Sequence, residues 1–331
     1  MKIGLSYDLK DSVPRNEASP EDCLEEYDSL ETVEAISRAI ESHSHSVVRL
    51  GGGRQFLTSI LKENVDLVFN IAEGLGNHRS REAQVPSVLE MLEMPYTGSD
   101  PLCLAVCLDK AMAKSLVALA GVATPRWLVV NDAGQLRTTD WESLPVPAFL
   151  KPAHEGSSKG IRLASRADSP AQMAEAAARL LERYGQPVMV EEYIAGDEVT
   201  VGVLGNSPPR VVGIMRVLPR KKTDYFVYSL EVKRDWESLV DYECPARLEP
   251  GVLQRVADSS LTAFRALGCR DLARIDFRVA RDGTPYFLEI NPLPGLNPRS
   301  GDLPIMAGKM GWTYQALISA ILDSALSRYQ Q

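Results

Sequence analysis

The sequence predicts an α/β protein in which a parallel βαβ domain is followed by two mixed α+β domains. Three observations carry that prediction. At 331 residues the chain is too long for one simple core, so two or three domains are expected. The first hundred residues alternate apolar strand-like runs with amphipathic helix. From Glu198 onward the pattern changes to consecutive strands joined by turns.

"MKIGLSY" reads as an opening strand and turns polar too early for a secretory signal. An acidic, proline-containing loop follows. A helix is expected over about residues 29–42, where Val33, Ile36 and Ile40 share one face. "HSVVRLG" and "VDLVFNIAE" are the second and third strands. This βαβ order implies parallel pairing, with the working loops at the strands' C-terminal ends. "GGGRQF" from Gly51 lacks the spacing of a dinucleotide fingerprint. After "MPYTGSDP" one helix is expected over about residues 101–120, with Gly121 as its C-cap. "VPAFLKPA", "GIRLAS" and "PVMVEEYI" read as strands, and residues 169–184 as an Ala-rich helix. "EVTVGVLG", "RVVGIMRVL", "ARIDFRVA" and "TPYFLEIN" form an antiparallel set, with "RDGT" as the hairpin turn between the last two. The domain boundaries expected from these changes of character are 1–98, 99–195 and 196–331.

Composition narrows the function. Hydrophobic residues at 45% and charged residues at 24% are ordinary for a soluble globular chain, and no apolar run is long enough to predict a transmembrane helix. A net charge of -8 argues against nucleic acid as a partner. The basic run Arg220-Lys221-Lys222 is local and reads as a solvated loop. Five cysteines (Cys23, Cys103, Cys107, Cys244, Cys269) are odd in number and scattered, which implies no disulfide framework. Cys103 and Cys107 lie a helical turn apart without nearby histidines, so zinc is not expected. Reduced thiols fit a cytoplasmic protein.

The chemistry concentrates in three stretches. In "FLEINPLPGLNP", strand alternation places Glu289 and Asn291 on one side and sends Leu288 and Ile290 into a core. Two hard oxygen ligands at a strand end make half of a magnesium site, and Asp276 in "RIDF", on the pairing strand, supplies more. The plainer alternative is three polar residues on the wet face of a sheet. "FLKPAHEGSSKGIRLA" puts Lys151 at a strand end, followed by a flap of Gly156, Ser157, Ser158 and Gly160 whose N–H groups can approach phosphate oxygens. An ordinary hairpin loop would use the same small residues, and no Walker motif occurs. "MVEEYIAGDE" runs from a strand into a hinge that can offer main-chain groups to an adenine edge and Glu198 to ribose hydroxyls.

These stretches, together with "MPYTGSDPLCLAVCLDKAMAK", "VEEYIAGDEVTV" and "LGCRDLARIDF", resemble the ATP-grasp superfamily and, within it, the D-alanine–D-alanine ligases. They occur in the family order and cover the chain from about Val68. The resemblance implies an ATP-grasp fold, with a Rossmann-like N-terminal domain followed by two α+β domains that clamp ATP. It implies that Lys110, Lys151 and the flap (Gly156, Ser157, Ser158) meet the ATP phosphates. Glu191, Glu192, Tyr193 and Ile194 would border the adenine, with Glu198 on the ribose. Asp276, Glu289 and Asn291 would hold two magnesium ions, or manganese in their place, with Glu289 bridging. Arg274 would stabilise the tetrahedral transition state and Lys233, in "VYSLEVKRDW", would reach the phosphoryl group. Ser157 and the Gly295 N–H would assist catalysis, and Ser300 would bind the second substrate's carboxylate. The implied reaction joins a carboxylate to an amine through an acyl phosphate, releasing ADP and phosphate. The 220–244 segment, long and aromatic, is expected as the lid, and the family habit suggests a homodimer.

Three departures from the family pattern stand out. "LSYDLKDSVPRN" replaces a glycine-rich loop with its serine and acid. "FNIAEGLGNHRSREAQVPSVLE" has Glu73 where a histidine would stand. The lid's Lys-Tyr is Lys233-Arg234, so the tyrosine that would bond to Ser157 is missing. All three fall on the pocket for the first amino acid. Glu73 is expected to pair with a substrate ammonium, while Arg79, Arg81 and Arg234 meet a substrate carboxylate. Alternatively, Arg79 and Arg81 only flank the helix "REAQVPSVLEML" and Glu73 is a loop acid. The expected function is a ligase for two amino acids or amino-acid-like molecules. The alternatives are a true D-alanine–D-alanine ligase of cell-wall synthesis and a non-catalytic nucleotide-binding regulator.

Overall fold

β1 (Lys2–Ser6) lies between two parallel partners, β2 (Ser46–Gly51) and β3 (Leu67–Asn70), as the βαβ pattern requires. The computed structural model describes residues 1–13, 19–221, 223 and 225–329; part of "LSYDLKDSVPRN" and Lys222 of the basic run lie outside them. α1 (Leu30–Glu41) buries Val33, Ile36 and Ile40, and Ser29 caps it by accepting from the Thr32 N–H. α2 (Gly53–Ile60) starts where Gly53 takes φ 51°, and α3 (Gln84–Met91) completes this layer.

The helix expected over residues 101–120 is in fact two, α4 (Pro101–Leu108) and α5 (Lys110–Leu119). Asp109 leaves helical geometry at ψ 97° and its side chain caps α5 through the Met112 N–H. The freed Lys110 N–H bonds instead to the Ala153 carbonyl at 3.1 Å, which ties the start of α5 to the strand that carries Lys151.

A four-stranded sheet follows, with order β4-β7-β5-β6: β4 (Trp127–Val130), β5 (Ala148–Pro152), β6 (Arg166–Ala167) and β7 (Val188–Glu192), backed by α6 (Pro170–Tyr184). "GIRLAS" is not the strand its apolar residues suggested. Ser165 takes the Arg162 N–H at 2.9 Å and donates to the Gly160 carbonyl at 3.3 Å, so the chain makes a tight turn and only Arg166–Ala167 pairs.

The third sheet is antiparallel, with order β10-β9-β8-β11-β12. β8 (Gly196–Leu204) and β9 (Arg210–Pro219) come first. The expected lid segment then contains α7 (Leu230–Arg234), α8 (Trp236–Leu239) and β10 (Val240–Glu243), so it is built rather than loose. α9 (Pro250–Ala266), β11 (Leu272–Ala280), β12 (Pro285–Asn291), α10 (Asp302–Lys309) and α11 (Tyr314–Tyr329) complete the chain.

Two cores cross the sequence order. α4 and α5 send Cys103, Cys107 and Val117 against Val199, Val201 and Phe287 of the antiparallel sheet. α11 sends Leu317, Ile318 and Ile321 against Ile3, Val33 and Ile36 of the parallel layer. The cysteines are less scattered than the sequence suggested: the Cys103 sulfur lies 3.8 Å from Cys107 and 3.6 Å from Cys269, all three as free thiols. Among the described residues no helix is long and apolar enough to cross a membrane.

A candidate active site between two sheets

The site grows from one face of β11 and the strands beside it. Asp276 stands opposite Glu289 on β12 and opposite Thr200 on β8, while Arg274 stands opposite Asn291. Directly opposed residues share a face, so these five side chains form a single patch. Thr200 donates to Asp276 at 2.9 Å, Arg274 meets Asp276 at 2.9 Å and Glu289 at 3.8 Å, and Asn291 approaches Asp276 at 3.5 Å.

The alternation read along "FLEIN" is interrupted. The pairing slips by one residue between Asp276 and Phe277, so Phe287 and Ile290 enter the core while Leu288 occupies the bulge. Leu288 therefore faces the cleft beside Glu289, not the core as expected. A bulge next to a pair of carboxylates lets one strand present an apolar wall and an oxygen ligand to the same space.

The cleft has two compartments. The smaller, about 80 Å³, lies between the four-stranded sheet and the β11 face. Phe149, Ile161, Val227 and Leu288 give it apolar walls, and Glu192, Tyr193 and Ile194 lie along its edge. Such a slot suits a flat heteroaromatic ring with main-chain groups at its rim. The Tyr193 ring sits against Arg278 at 5.2 Å and Arg166 at 5.6 Å. Glu198 also lines the slot and pairs with Arg278 at 3.3 Å; burial raises its pKa, with the Arg278 charge opposing.

Lysines and a carboxylate form the floor. Lys151 meets Glu191 at 2.6 Å, and Lys114 meets the other oxygen of Glu191 at 2.9 Å. Glu191 is thus turned to the lysines and holds Lys151 in place. Burial alone would raise the Glu191 pKa, but Lys114 and Lys151 outweigh it and the net shift is downward. Lys114 is fully buried, also donates to Thr124 at 2.8 Å and to the Phe287 carbonyl at 3.2 Å, and burial brings its pKa down to about 8. The sequence reading missed Lys114, although its spacing of four from Lys110 on a helix was the available signal. Lys110 reaches Glu289 at 3.1 Å and also donates to the Glu155 carbonyl. Burial works against ionisation of Glu289, yet Lys110, Lys151 and Arg274 hold its carboxyl well below the usual range. Asp276 is shifted upward by burial and, beyond the opposing Arg274, by the Glu289 charge.

The flap folds over this floor. Ser157 and Ser158 both adopt left-handed backbone, φ 50° and 58°, which is uncommon for residues with a Cβ. Gly160, φ 73°, approaches Pro152 so closely that a Cβ would meet its ring at 2.5 Å. Ser158 faces the slot and Ser157 faces the second compartment.

That second compartment, about 270 Å³, is bounded by Glu73 and Gly156, by Arg274, Gly295 and Ser300, and by Lys233 and Arg234 from α7. Tyr228, Lys233 and Glu289 line both compartments, and the Lys233 ammonium lies 5.0 Å from the Tyr228 ring. Tyr228 donates to Asp302 at 3.0 Å, and Asp302 in turn braces Arg274 at 3.4 Å. Tyr228 belongs to the aromatic segment expected as the lid, whereas Asp302 was not anticipated.

Two arginines sit elsewhere than the substrate-carboxylate reading placed them. Arg81 is 1% exposed and bonds to Glu26 at 2.6 Å, Glu155 at 3.1 Å and the His154 carbonyl at 2.9 Å. It locks the parallel layer to the flap, because a buried guanidinium needs carboxylates on more than one side. Arg79 points outward toward Asp109 at 3.5 Å. Arg234 does line the compartment, but pairs with Glu25 at 2.6 Å. Glu25, Glu26, Asp28 and Glu82, absent from the sequence reading, also line it.

Comparison with known proteins bears on the family and the fold. The family model described as D-ala D-ala ligase C-terminus matches residues 116–323. A D-alanine–D-alanine ligase of Desulforudis audaxviator is 34% identical over 91% of this chain and 94% of its own length. That of Aquifex aeolicus is 32% identical over 89% and 94%. An uncharacterized protein of Sinorhizobium fredii is 33% identical over 89% and 88%. Among solved structures, the D-alanine–D-alanine ligase of Bacillus anthracis complexed with ATP matches with TM-score 0.75 at 21% identity, covering 100% of this chain and 99% of that one. The VanG D-Ala:D-Ser ligase of Enterococcus faecalis matches with TM-score 0.74 at 22% identity, over 98% and 99%. At these identities the solved structures speak for the fold.

Proposed function

Because this chain belongs to the D-alanine–D-alanine ligase family, we propose which of its residues carry the reaction and where its substrates differ. The protein is an ATP-dependent carboxylate–amine ligase with the ATP-grasp fold. Its substrates are amino acids or amino-acid-like molecules. A carboxylate does not acylate an amine unaided, since hydroxide or oxide would have to leave. Attack of the carboxylate oxygen on the γ-phosphorus expels ADP and leaves an acyl phosphate. A neutral amine then attacks the carbonyl carbon, phosphate departs with the C–O electrons, and the nitrogen loses its proton as the amide forms.

The apolar slot takes the adenine, with Glu191, Glu192, Tyr193 and Ile194 around it and Glu198 toward the ribose. Lys110, Lys151 and the flap N–H groups of Gly156, Ser157 and Ser158 receive the phosphates, and this charge neutralisation is the main help protein can give phosphoryl transfer. Asp276, Glu289 and Asn291 offer three hard oxygen donors on one face, a set that fits magnesium, or manganese in its place. When bound, the metal would neutralise polyphosphate charge. Lys233 and Arg274 face the transferring group and the developing oxyanion. The Gly295 N–H supplements them, and Ser300 lies where the second substrate's carboxylate would bind.

One observation carries the proposal. The two compartments share Tyr228, Lys233 and Glu289 in their walls, which supports a nucleotide in one turning its terminal phosphate toward a carboxylate in the other. α7 and its flanks act as the lid that shields the acyl phosphate from water. The segments 1–98, 99–195 and 196–331 are the units that would close around it. The free thiols support a cytoplasmic location, and the family habit supports a homodimer.

The experiment is an ADP-release assay with amino acids offered singly and in pairs, with mass spectrometry of the product. ADP appearing in step with an amide supports the reading; ATP binding without turnover across the panel contradicts it. A second reading, synthesis of D-Ala-D-Ala itself, is favoured by the names of the relatives. Glu73 and Arg234 at the first-substrate pocket oppose it, and D-alanine alone is expected to be a poor substrate.

A further inference from the structure

The amino-acid compartment holds more carboxyl groups than its own cations pair with. Asp28, Glu73 and Glu82 all line it, and Glu82 is only 8% exposed. Among the described residues none of these three carboxylates has a Lys, Arg or His nitrogen within 4.0 Å. The cations around them are committed to other acids. Arg81 and Lys159 serve Glu26 and Glu155, with Arg81 at 2.6 and 3.1 Å and Lys159 at 2.8 Å from Glu26. Arg234 serves Glu25 at 2.6 Å, with Lys10 at 3.9 Å from the same residue. Lys110 serves Glu289 at 3.1 Å.

A buried carboxylate without a partner is costly, so proteins seldom keep one unless a ligand supplies the charge. Burial, and then repulsion from neighbouring acids, raises the protonation ranges of Glu82 and Asp28 to about 7 and pushes Glu73 well above its ordinary value. The α-ammonium of an amino acid would answer one of the three. Its own carboxylate, the group to be phosphorylated, would lie toward Lys233 and Arg274, which line the same compartment. Two acids are left over.

We propose that Asp28, Glu73 and Glu82 form a subsite for a second cationic group, an ω-ammonium or guanidinium, so that one of the two substrates is a basic amino acid. This inference rests on the ligase reading for the identity of the compartment. Glu82 discriminates most strongly, because a buried acid that accepts a cation leaves a neutral analogue of the same shape with nothing to offset the carboxylate's lost hydration.

The test compares charged ligands with neutral isosteres. Lysine against norleucine, ornithine against norvaline and arginine against citrulline, each as D and L forms, are titrated calorimetrically into the whole protein loaded with magnesium and a non-hydrolysable ATP analogue. At least one basic probe is expected to bind about tenfold or more tightly than its isostere, and Glu82→Gln or Glu73→Gln to erase most of that ratio. The lysine and ornithine arms against the arginine arm distinguish ammonium from guanidinium. Equal binding within every pair, or no binding of any basic probe, overturns the inference. Should Glu82→Gln fail to fold, the wild-type ratios and Glu73→Gln still decide. ADP release tells the two readings apart: turnover with neutral pairs and none with basic ones leaves the ligase standing and removes the cationic subsite.

Discussion

In the first compartment Glu191 faces Lys114 at 2.9 Å and Lys151 at 2.6 Å; in the second, Glu82, also buried, has no Lys, Arg or His nitrogen within 4.0 Å among the described residues. The first arrangement needs no ligand, and it holds Lys151 at the phosphate site proposed above. The second is incomplete until something positive enters. A pocket for a constant co-substrate can be finished in advance, whereas a pocket that selects among amino acids gains discrimination by leaving its charges unanswered. Two of the departures from the family pattern, Glu73 and Arg234, line that second compartment.

The contrast can be broken most severely at Glu289, which serves both compartments. Glu289→Gln is expected to lower ADP formation by ~10³-fold or more with the fold retained, as checked by turnover and circular dichroism. Normal turnover would remove the metal assignment. Next is Glu191→Gln, which leaves Lys114 and Lys151 buried against a neutral amide. Breaking a buried pair of this kind costs about 3–5 kcal/mol, visible as a lowered denaturant midpoint at unchanged slope. Lys233→Met should lower kcat by about 100-fold with a smaller effect on nucleotide affinity, because the side chain acts where the compartments meet.

The smallest effect concerns pH. Glu82 holds its proton up to about 7 in the folded protein, against 4.5 ordinarily. Between those values the folded state binds more protons than the unfolded chain, so stability is full below the lower value and is lost as pH rises through the upper one. Thermal midpoints between pH 5 and ~8 should show that loss. Glu82→Gln should flatten that slope, and no change in slope would contradict the unbalanced charge.

The nucleotide compartment was far more legible in the sequence than the amino-acid one. Lys151, Glu191 and Asp276 sit on strands whose periodicity says which way they point, and "RDGT" sets the two strands of the proposed metal ligands side by side. Where local geometry departs from period, the reading slipped. The bulge turned Leu288 outward, Asp109 broke one helix into two, and Ser165 replaced a strand with a turn. The amino-acid compartment is assembled from residues distant in the chain. Arg81 meets Glu26 across 55 positions and Glu155 across 74, and no local pattern announces such pairs. For that reason Arg81 read as a substrate ligand when it is a buried tie, and Asp28 and Glu82 did not stand out at all.

We propose retained ligase chemistry acting on a changed first substrate. It is tested most directly by ADP release with magnesium and ATP, comparing D-alanine alone with pairs that include a basic amino acid. The account predicts amide product and ADP in step for at least one such pair, and little from D-alanine. Rapid D-Ala-D-Ala formation at millimolar D-alanine would contradict it.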